Sequence, residues 1–286
     1  MHIEPIQTTQ TTAFGATVTG VDLNRLGDDE WAVIEAAWYE HAVLVFPNQH
    51  LEEPAHVALG ARIGDLEQFV ADQKSVPISN RRADGSAVDP NSDHFQILKG
   101  NEGWHTDSTY MPLSARASIL AAQVVPTEGG QTEWADMRAA YDALDDETRE
   151  QIADLAAYHS LFYSQSKVGH KPAVGASYGL SDQDIPLRPL VKVHPVTQRP
   201  ALFIGRHAYG IPGLSQAESE ALLERLTAFA CQSPRVFAHA WEPGDVVMWD
   251  NRCVLHRARP YDYAKPRVMR HVRVAGDPIT EAGIQN

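Results

Sequence analysis

The chain has 286 residues, 43% of them hydrophobic and 21% charged, the balance of a globular protein long enough to bury a sizeable core. A formal net charge of −13, from 37 acidic and 24 basic residues, comes with no basic run and argues against a nucleic-acid or membrane partner. Cys231 and Cys253 form neither a disulfide framework nor a C-x-x-C pair, so reduced, buried thiols are expected.

The opening "MHIEPIQTTQ" has no charged and apolar leader, and no apolar run reaches the roughly 20 residues of a membrane span. A cytoplasmic protein with a frayed N-terminus around His2 is expected. "FGATVTGVDL" (14–23) alternates and predicts a strand; "DDEWAVIEAAWYEH" (28–41) has helical spacing behind an acidic start. "AVLVFP" predicts a short buried strand, and "EEPAHVALGARIG" a second helix. From residue 67 to about 104 the chain turns polar and aperiodic, which predicts a long loop, either a lid over a site or a disordered insertion.

"ASILAAQVV" (117–125) predicts a strand, followed by helices in "DMRAAYDAL" and "DDETREQIADL". The Gly/Ser-rich run 163–179 predicts a second surface excursion. "LVKVHP" and "ALFIG" predict a hairpin, and "SQAESEALLERLTAFAC" (215–231) an amphipathic helix. The last third is strand, turn, strand: "RVFAHAW", "VVMW", "CVLHRA" and "RVMRHVRVAG". Strands at both ends with helices inserted predict a mainly β fold with a sandwich or jelly-roll core.

Two histidines and a carboxylate on one side of a metal are the donor set of non-haem iron oxygenases. H-x-[DE] occurs three times, at His2/Glu4, His50/Glu52 and His105/Asp107, so the pattern by itself selects nothing. His105 and Asp107, in "GNEGWHTDSTYMP", stand between the long polar run and a strand, behind an aromatic residue. On an extended segment, residues i and i+2 project to one side, so both can reach one ion. His256, at the end of an apolar strand, is the candidate third ligand; the competing role is a core histidine. Arg267 lies eleven residues further on, and a buried guanidinium needs an anion.

These blocks, in order over almost the whole chain, resemble the taurine/2,4-dichlorophenoxyacetate dioxygenase family. "GATVTGVDL", "AVLVFPNQ", "WHTDSTY", "GGQTEWADMRAAYDAL" and "GDVVMWDNRCVLHRARPYD" carry the likeness, and the last two look most like the 2,4-dichlorophenoxyacetate branch. The resemblance implies one dioxygenase domain over 1–286 with a double-stranded β-helix (jelly-roll) core. It implies Fe(II) held by His105, Asp107 and His256, with 2-oxoglutarate and O2 as co-substrates. Thr132 and Arg267 match the positions that hold the distal carboxylate of 2-oxoglutarate, and Asn101 a position near the substrate. Trp249 matches a tryptophan near the iron, although packing between sheets is an alternative role. The chain departs from acid-binding members in one place. Where they carry a second arginine four residues after the first, it has His271, with Arg270 just before it. Strand alternation predicts that His271 faces the substrate and Arg270 faces away, unless a bulge re-aims them.

The implied reaction couples decarboxylation of 2-oxoglutarate to hydroxylation of a small organic acid. Where the hydroxylated carbon bears an ether oxygen, the product collapses, as for an aryloxyalkanoate. A sulfonate, sulfate ester or amino-acid-like substrate is the alternative. No general acid or base is required, and none is assigned to Glu102 or Asp250. A zinc hydrolase using the same triad has no use for Thr132 and Arg267, and a non-catalytic β-sandwich leaves the ordered blocks unexplained. The family's habit and the Gly/Ser-rich excursion favour a homo-oligomer.

Overall fold

A computed structural model describes residues 1–8, 13–69 and 73–284. Its strands in chain order are β1 (His2–Thr8), β2 (Ala13–Thr19), β3 (Val43–Phe46), β4 (Ser75–Ser79), β5 (Ala117–Val124), β6 (Thr132–Asp136), β7 (Ala156–His159) and β8 (Leu187–Pro189). They continue with β9 (Val191–Val193), β10 (Pro200–Leu202), β11 (Ala208–Tyr209), β12 (Val236–His239), β13 (Val246–Asp250), β14 (Val254–Ala258) and β15 (Val268–Val274). The helices are α1 (Asp28–His41), α2 (Glu53–Ile63), α3 (Asp93–Gly100), α4 (Met137–Asp142), α5 (Asp146–Ile152), α6 (Leu161–Ser166) and α7 (Gln216–Ala230).

Seven strands form the major sheet, in the order β1-β2-β3-β13-β5-β15-β4, and β12-β6-β14 form a smaller sheet. Side-chain alternation sorts the major sheet into two faces. Val247, Trp249, Leu120 and Met269 point into a core shared with Trp134, Ala135, Val254 and Leu255 of the smaller sheet. Val246, Met248, Ile119, Val272 and Val274 point the other way, onto Trp31, Ile34, Trp38, Leu59 and Ile63 of α1 and α2. The paired sheets are the double-stranded β-helix core. A β11-β7-β8 sheet and the β9-β10 hairpin add to it.

Helix α2 approaches the sheet closely because residue 60 is glycine: a Cβ there would lie 2.6 Å from Val272 Cγ1. Helix α7 carries a full capping box, Ser215 with Glu218. Among the described residues, no helix is long and apolar enough to cross a membrane.

Several expectations need correction. The N-terminus is not frayed: His2 pairs with Thr19 in an antiparallel β1-β2 ladder. The run 67–104 is not loop throughout. It contains β4, which pairs with β15, and α3, capped by Ser92; residues 70–72 lie outside the described ones. Pro77 in the middle of β4 disguised an edge strand, where a missing N–H is tolerated. The excursion 163–179 begins inside α6, and Tyr178 reaches back to donate its hydroxyl to Glu67 Oε2 at 2.8 Å. Cys253 is buried, but Cys231 is only partly so.

Candidate active site

The three candidate ligands meet because two segments lie side by side at the end of the smaller sheet. His105 and His256 face each other across an antiparallel bridge and exchange both backbone hydrogen bonds, His105 N–H to His256 O at 3.0 Å and the reverse at 2.8 Å. The rings sit 4.2 Å apart, centroid to centroid. Asp107, two residues along, projects to the same side, and the ligating atoms of all three lie within 4.8 Å of one another. Backbone pairing, not side-chain packing, sets the spacing of the two imidazoles.

The donor chemistry fits a divalent metal. The Nδ1 of His105 is engaged with the Gly103 carbonyl at 2.8 Å, which leaves the Nε2 lone pair for an ion. His256 Nε2 lies 3.6 Å from Asp107 Oδ2. Burial, and then His256, pull His105 down to about 3; burial pulls His256 down to about 4. Both rings are therefore neutral ligands near pH 7. Burial alone would raise the Asp107 carboxyl, but the Arg273 guanidinium beside it outweighs burial and holds the group ionised.

A hydrogen-bonded chain orients that carboxylate. Trp249 Nε1 donates to Asn251 Oδ1 (3.0 Å), Asn251 Nδ2 to Ser118 Oγ (2.9 Å), and Ser118 Oγ to Asp107 Oδ2 (2.6 Å). Arg273 takes the other oxygen, with Nη2 at 3.0 Å from Oδ1. Trp249 fills both roles considered for it. Its ring packs on Trp134 of the facing sheet at 5.8 Å and on His256 at 4.8 Å.

The cavity at the triad is lined by Asn101, Thr132, Trp249, Tyr261, Tyr263, Arg267, His271 and Arg273, among others. Thr132 Oγ1 accepts the Trp241 indole N–H at 2.9 Å, so its own hydroxyl hydrogen is free to point elsewhere. Arg267 is 3% exposed; its Nε donates to the Gly130 carbonyl at 3.3 Å, and among the described residues no carboxylate pairs with it. Gly130 has φ +69°, and a Cβ there would come within 3.3 Å of Arg267 Nε. His271 lies inside, its Nε2 3.9 Å from Asp107 Oδ2. Arg270 points the other way, to Glu53 and to Ser75 Oγ, and lines no part of the cavity among the described residues. Glu102 accepts the Tyr263 hydroxyl at 2.9 Å, and Asp250 is spent on Arg252 and His194.

Sequence reasoning missed Arg273, Ser118, Asn251, Glu67 and the two tyrosines. Arg273 carried a usable signal, since it shares strand parity with Arg267 and His271. Ser118, Asn251 and Glu67 carried none, because each acts through a contact between segments far apart in the chain.

Two neutral imidazoles and an oriented carboxylate in the mouth of a double-stranded β-helix define a facial-triad, metal-dependent oxygenase. The family model for "Taurine catabolism dioxygenase TauD, TfdA family" matches residues 2–275, and the chain belongs to that family. It is 54% identical to an (S)-phenoxypropionate/alpha-ketoglutarate dioxygenase of Sphingobium herbicidovorans, over 95% of each chain. It is 37% identical to an alpha-ketoglutarate-dependent 2,4-dichlorophenoxyacetate dioxygenase of Cupriavidus pinatubonensis, over 93% of this chain and 96% of that one. Among solved structures it resembles AAD-2 in complex with Mn(II) and N-oxalylglycine, with TM-score 0.89 and 38% identity over 99% of this chain and all of that chain. The protein is a 2-oxoglutarate-dependent non-haem iron dioxygenase that uses Fe(II), 2-oxoglutarate and O2.

Proposed function

We propose that the chain oxidises a small aryloxyalkanoic acid, in the manner of (S)-2-phenoxypropionate, at the carbon bearing the ether oxygen. Hydroxylation there gives a hemiketal that collapses to a phenol and a 2-oxo acid. The observation that supports the substrate is the 54% identity, over 95% of each chain, to an (S)-phenoxypropionate/alpha-ketoglutarate dioxygenase, while Arg267, a guanidinium buried in the cavity with no protein carboxylate paired to it among the described residues, is a site prepared for the anion of the co-substrate. Arg267 and the Thr132 hydroxyl hold the distal carboxylate of 2-oxoglutarate.

His105, Asp107 and His256 would hold the iron, which when bound supplies oxidation of the substrate C–H bond by O2. The protein's own part is placement and exclusion of water. Asn101, at the end of α3, and His271 stand at the cavity wall where the primary substrate would lie. The cavity holds about 70 Å³, well below the usual ~300 Å³ of a ligand site. Substrate entry therefore requires the wall to give way. The stretch 67–104 supplies Leu98 and Asn101 to that wall and is the part we assign to opening, within a single catalytic domain. A sulfate ester is the second reading, supported by 31% identity over 92% of the chain to an alpha-ketoglutarate-dependent sulfate ester dioxygenase of Pseudomonas putida.

The test begins under nitrogen. Fe(II) and then 2-oxoglutarate are added to wild type, His105→Ala and Arg267→Ala, and the visible charge-transfer band is recorded. The band should need both additions, vanish in His105→Ala, and in Arg267→Ala require far more 2-oxoglutarate. Air and 2-phenoxypropionate should then release phenol and pyruvate. A normal band with phenol release from no aryloxyalkanoate, but aldehyde release from an alkyl sulfate, transfers the proposal to the sulfate ester.

A further inference from the structure

Directly after the metal ligand Asp107 the backbone enters the left-handed region: Ser108 has φ +52°. A serine seldom adopts this conformation, and it persists only where the surroundings impose it. The turn that starts there is closed by the Met111 N–H, which donates to Ser108 O at 2.9 Å. Asp107 lines the metal cavity, whereas residues 108–112 do not. A turn of this kind leaves carbonyl groups without ladder partners, and these are buried, Ser108 and Thr109 being 0% and 1% exposed.

Arg188, on β8 and 2% exposed, takes up those carbonyls. Its Nε donates to Thr109 O at 2.7 Å and its Nη2 to Met111 O at 2.6 Å. Its Nη1 donates to Glu281 O at 2.9 Å. Every hydrogen bond of this buried guanidinium therefore goes to a backbone carbonyl, and its planar fork ties two chain segments together. Glu281 belongs to a strap, residues 276–284, that folds back after β15. The strap bridges Leu113 through Ala282 and Leu187 through Ile284. Glu281 O also accepts the Ser114 N–H at 3.1 Å, and its carboxylate accepts the Ser114 hydroxyl at 3.0 Å and pairs with Lys192. The Ser108 side chain is fixed separately, donating to Glu67 Oε2 at 2.8 Å.

We propose that Arg188 is a positioning residue for Asp107. By bracing the turn against the strap, it keeps Ser108 left-handed and so fixes the direction from which the Asp107 carboxylate meets the metal. The Ser118 contact orients that carboxylate at its tip, whereas Arg188 orients the backbone that carries it. Without the fork the turn relaxes toward negative φ and the Asp107–Ser108 peptide rotates. The two imidazoles stay in place, because their own β-bridge holds them. The inference goes beyond the substrate reading and holds whichever acid is oxidised.

The experiment compares wild type with Arg188→Lys, Glu281→Gln and Arg138→Lys. Lysine at position 188 keeps the charge but loses the fork. Arg138 is the control: it is 1% exposed and also donates to a backbone carbonyl, Glu40 O at 3.0 Å, which is not part of the turn. Fe(II) is titrated under nitrogen at saturating 2-oxoglutarate while the charge-transfer band is recorded, and the metal-free proteins are melted alongside. Arg188→Lys should need about 10-fold more Fe(II) and shift the band maximum, the scale of contacts that orient a metal ligand. The 2-oxoglutarate needed at saturating Fe(II) should not change, since Thr132 and Arg267 stand apart from the turn. Glu281→Gln should show a smaller loss of Fe(II) affinity in the same direction. Arg138→Lys should lower the melting temperature and leave the Fe(II) requirement and the band as in wild type. The assignment is overturned by an Arg188→Lys variant that melts lower but keeps the wild-type Fe(II) titration and band. An equal loss of Fe(II) affinity in Arg138→Lys overturns it too, since general destabilisation then accounts for the effect. If Arg188→Lys does not fold, Glu281→Gln against Arg138→Lys decides by the same comparison.

Discussion

Two His/Asp clusters lie buried in this protein, and they behave as opposites. His105, Asp107 and His256 leave ligand atoms available; His194, Asp250 and Cys253 stand equally close together and leave none. His194 Nε2 meets Asp250 Oδ2 at 3.0 Å, while its Nδ1 accepts the backbone N–H groups of Val196 and Thr197. Asp250 is gripped by Arg252 through two hydrogen bonds, at 2.8 and 2.6 Å. Burial pushes the Cys253 thiol up, away from the thiolate a metal needs. Proximity of donor residues is therefore a poor sign of a metal site. What separates the two clusters is whether the lone pairs are already spent.

The sharpest way to break this contrast is Asp250→Ala. It strands Arg252, 3% exposed, without its carboxylate, and should destabilise the fold by about 3–5 kcal/mol while leaving one metal per chain. Asp107→Ala should do the reverse, abolishing metal binding and activity with a smaller change in the melting temperature of the metal-free protein. Calorimetry and metal analysis of the two variants give the answer, and a metal stoichiometry that falls in Asp250→Ala would falsify the distinction. Ser118→Ala removes the donor to Asp107 Oδ2 and should weaken metal binding by about 10-fold, the scale of contacts that orient a ligand. Gly60→Ala touches neither cluster. It should cost about 1–3 kcal/mol by crowding Val272, with metal affinity unchanged.

Acid provides a gentler probe. Burial lowers His56 to about 4 and holds His159 and His207 well below the ordinary value near 6.5. Between about pH 6.5 and 4 the unfolded chain then binds more protons than the folded one. Stability is thus greatest above 6.5 and falls as the pH drops through that window. Melting temperatures of the metal-free protein at pH 7.5 and 5 should differ accordingly, and equal values would remove the buried, neutral histidines from the account.

Much of the fold was legible because it follows from period and punctuation. The helix at 28–41 and the strands at 43–46, 117–124 and 246–250 fall where apolar spacing placed them. What escaped has physical causes. β4 is an edge strand containing a proline, α3 is a helix of only eight residues, and β7, β8 and β11 are strands of four residues or fewer that exist only through their partners. The pairing of His105 with His256 could be proposed from resemblance but not from spacing, since 150 residues of chain separate them. The Trp249–Asn251–Ser118–Asp107 chain had no local signature at all. The orientation of Arg270 and His271, by contrast, needs only the two-residue period of a strand.

That period has a consequence for how such a protein can change. Along β15 and the residue just before it, the inward positions 267, 271 and 273 carry the polar cavity groups, while Val272 and Val274 on the other face grip the helices. Substituting an inward residue edits chemistry and leaves the outer packing intact, so new specificities are reachable by single codon changes. Inserting or deleting one codon between them swaps the faces, sending the arginines into the helix layer and the valines into the cavity. Point variation along this strand is therefore permissive, and changes of length are closed to it.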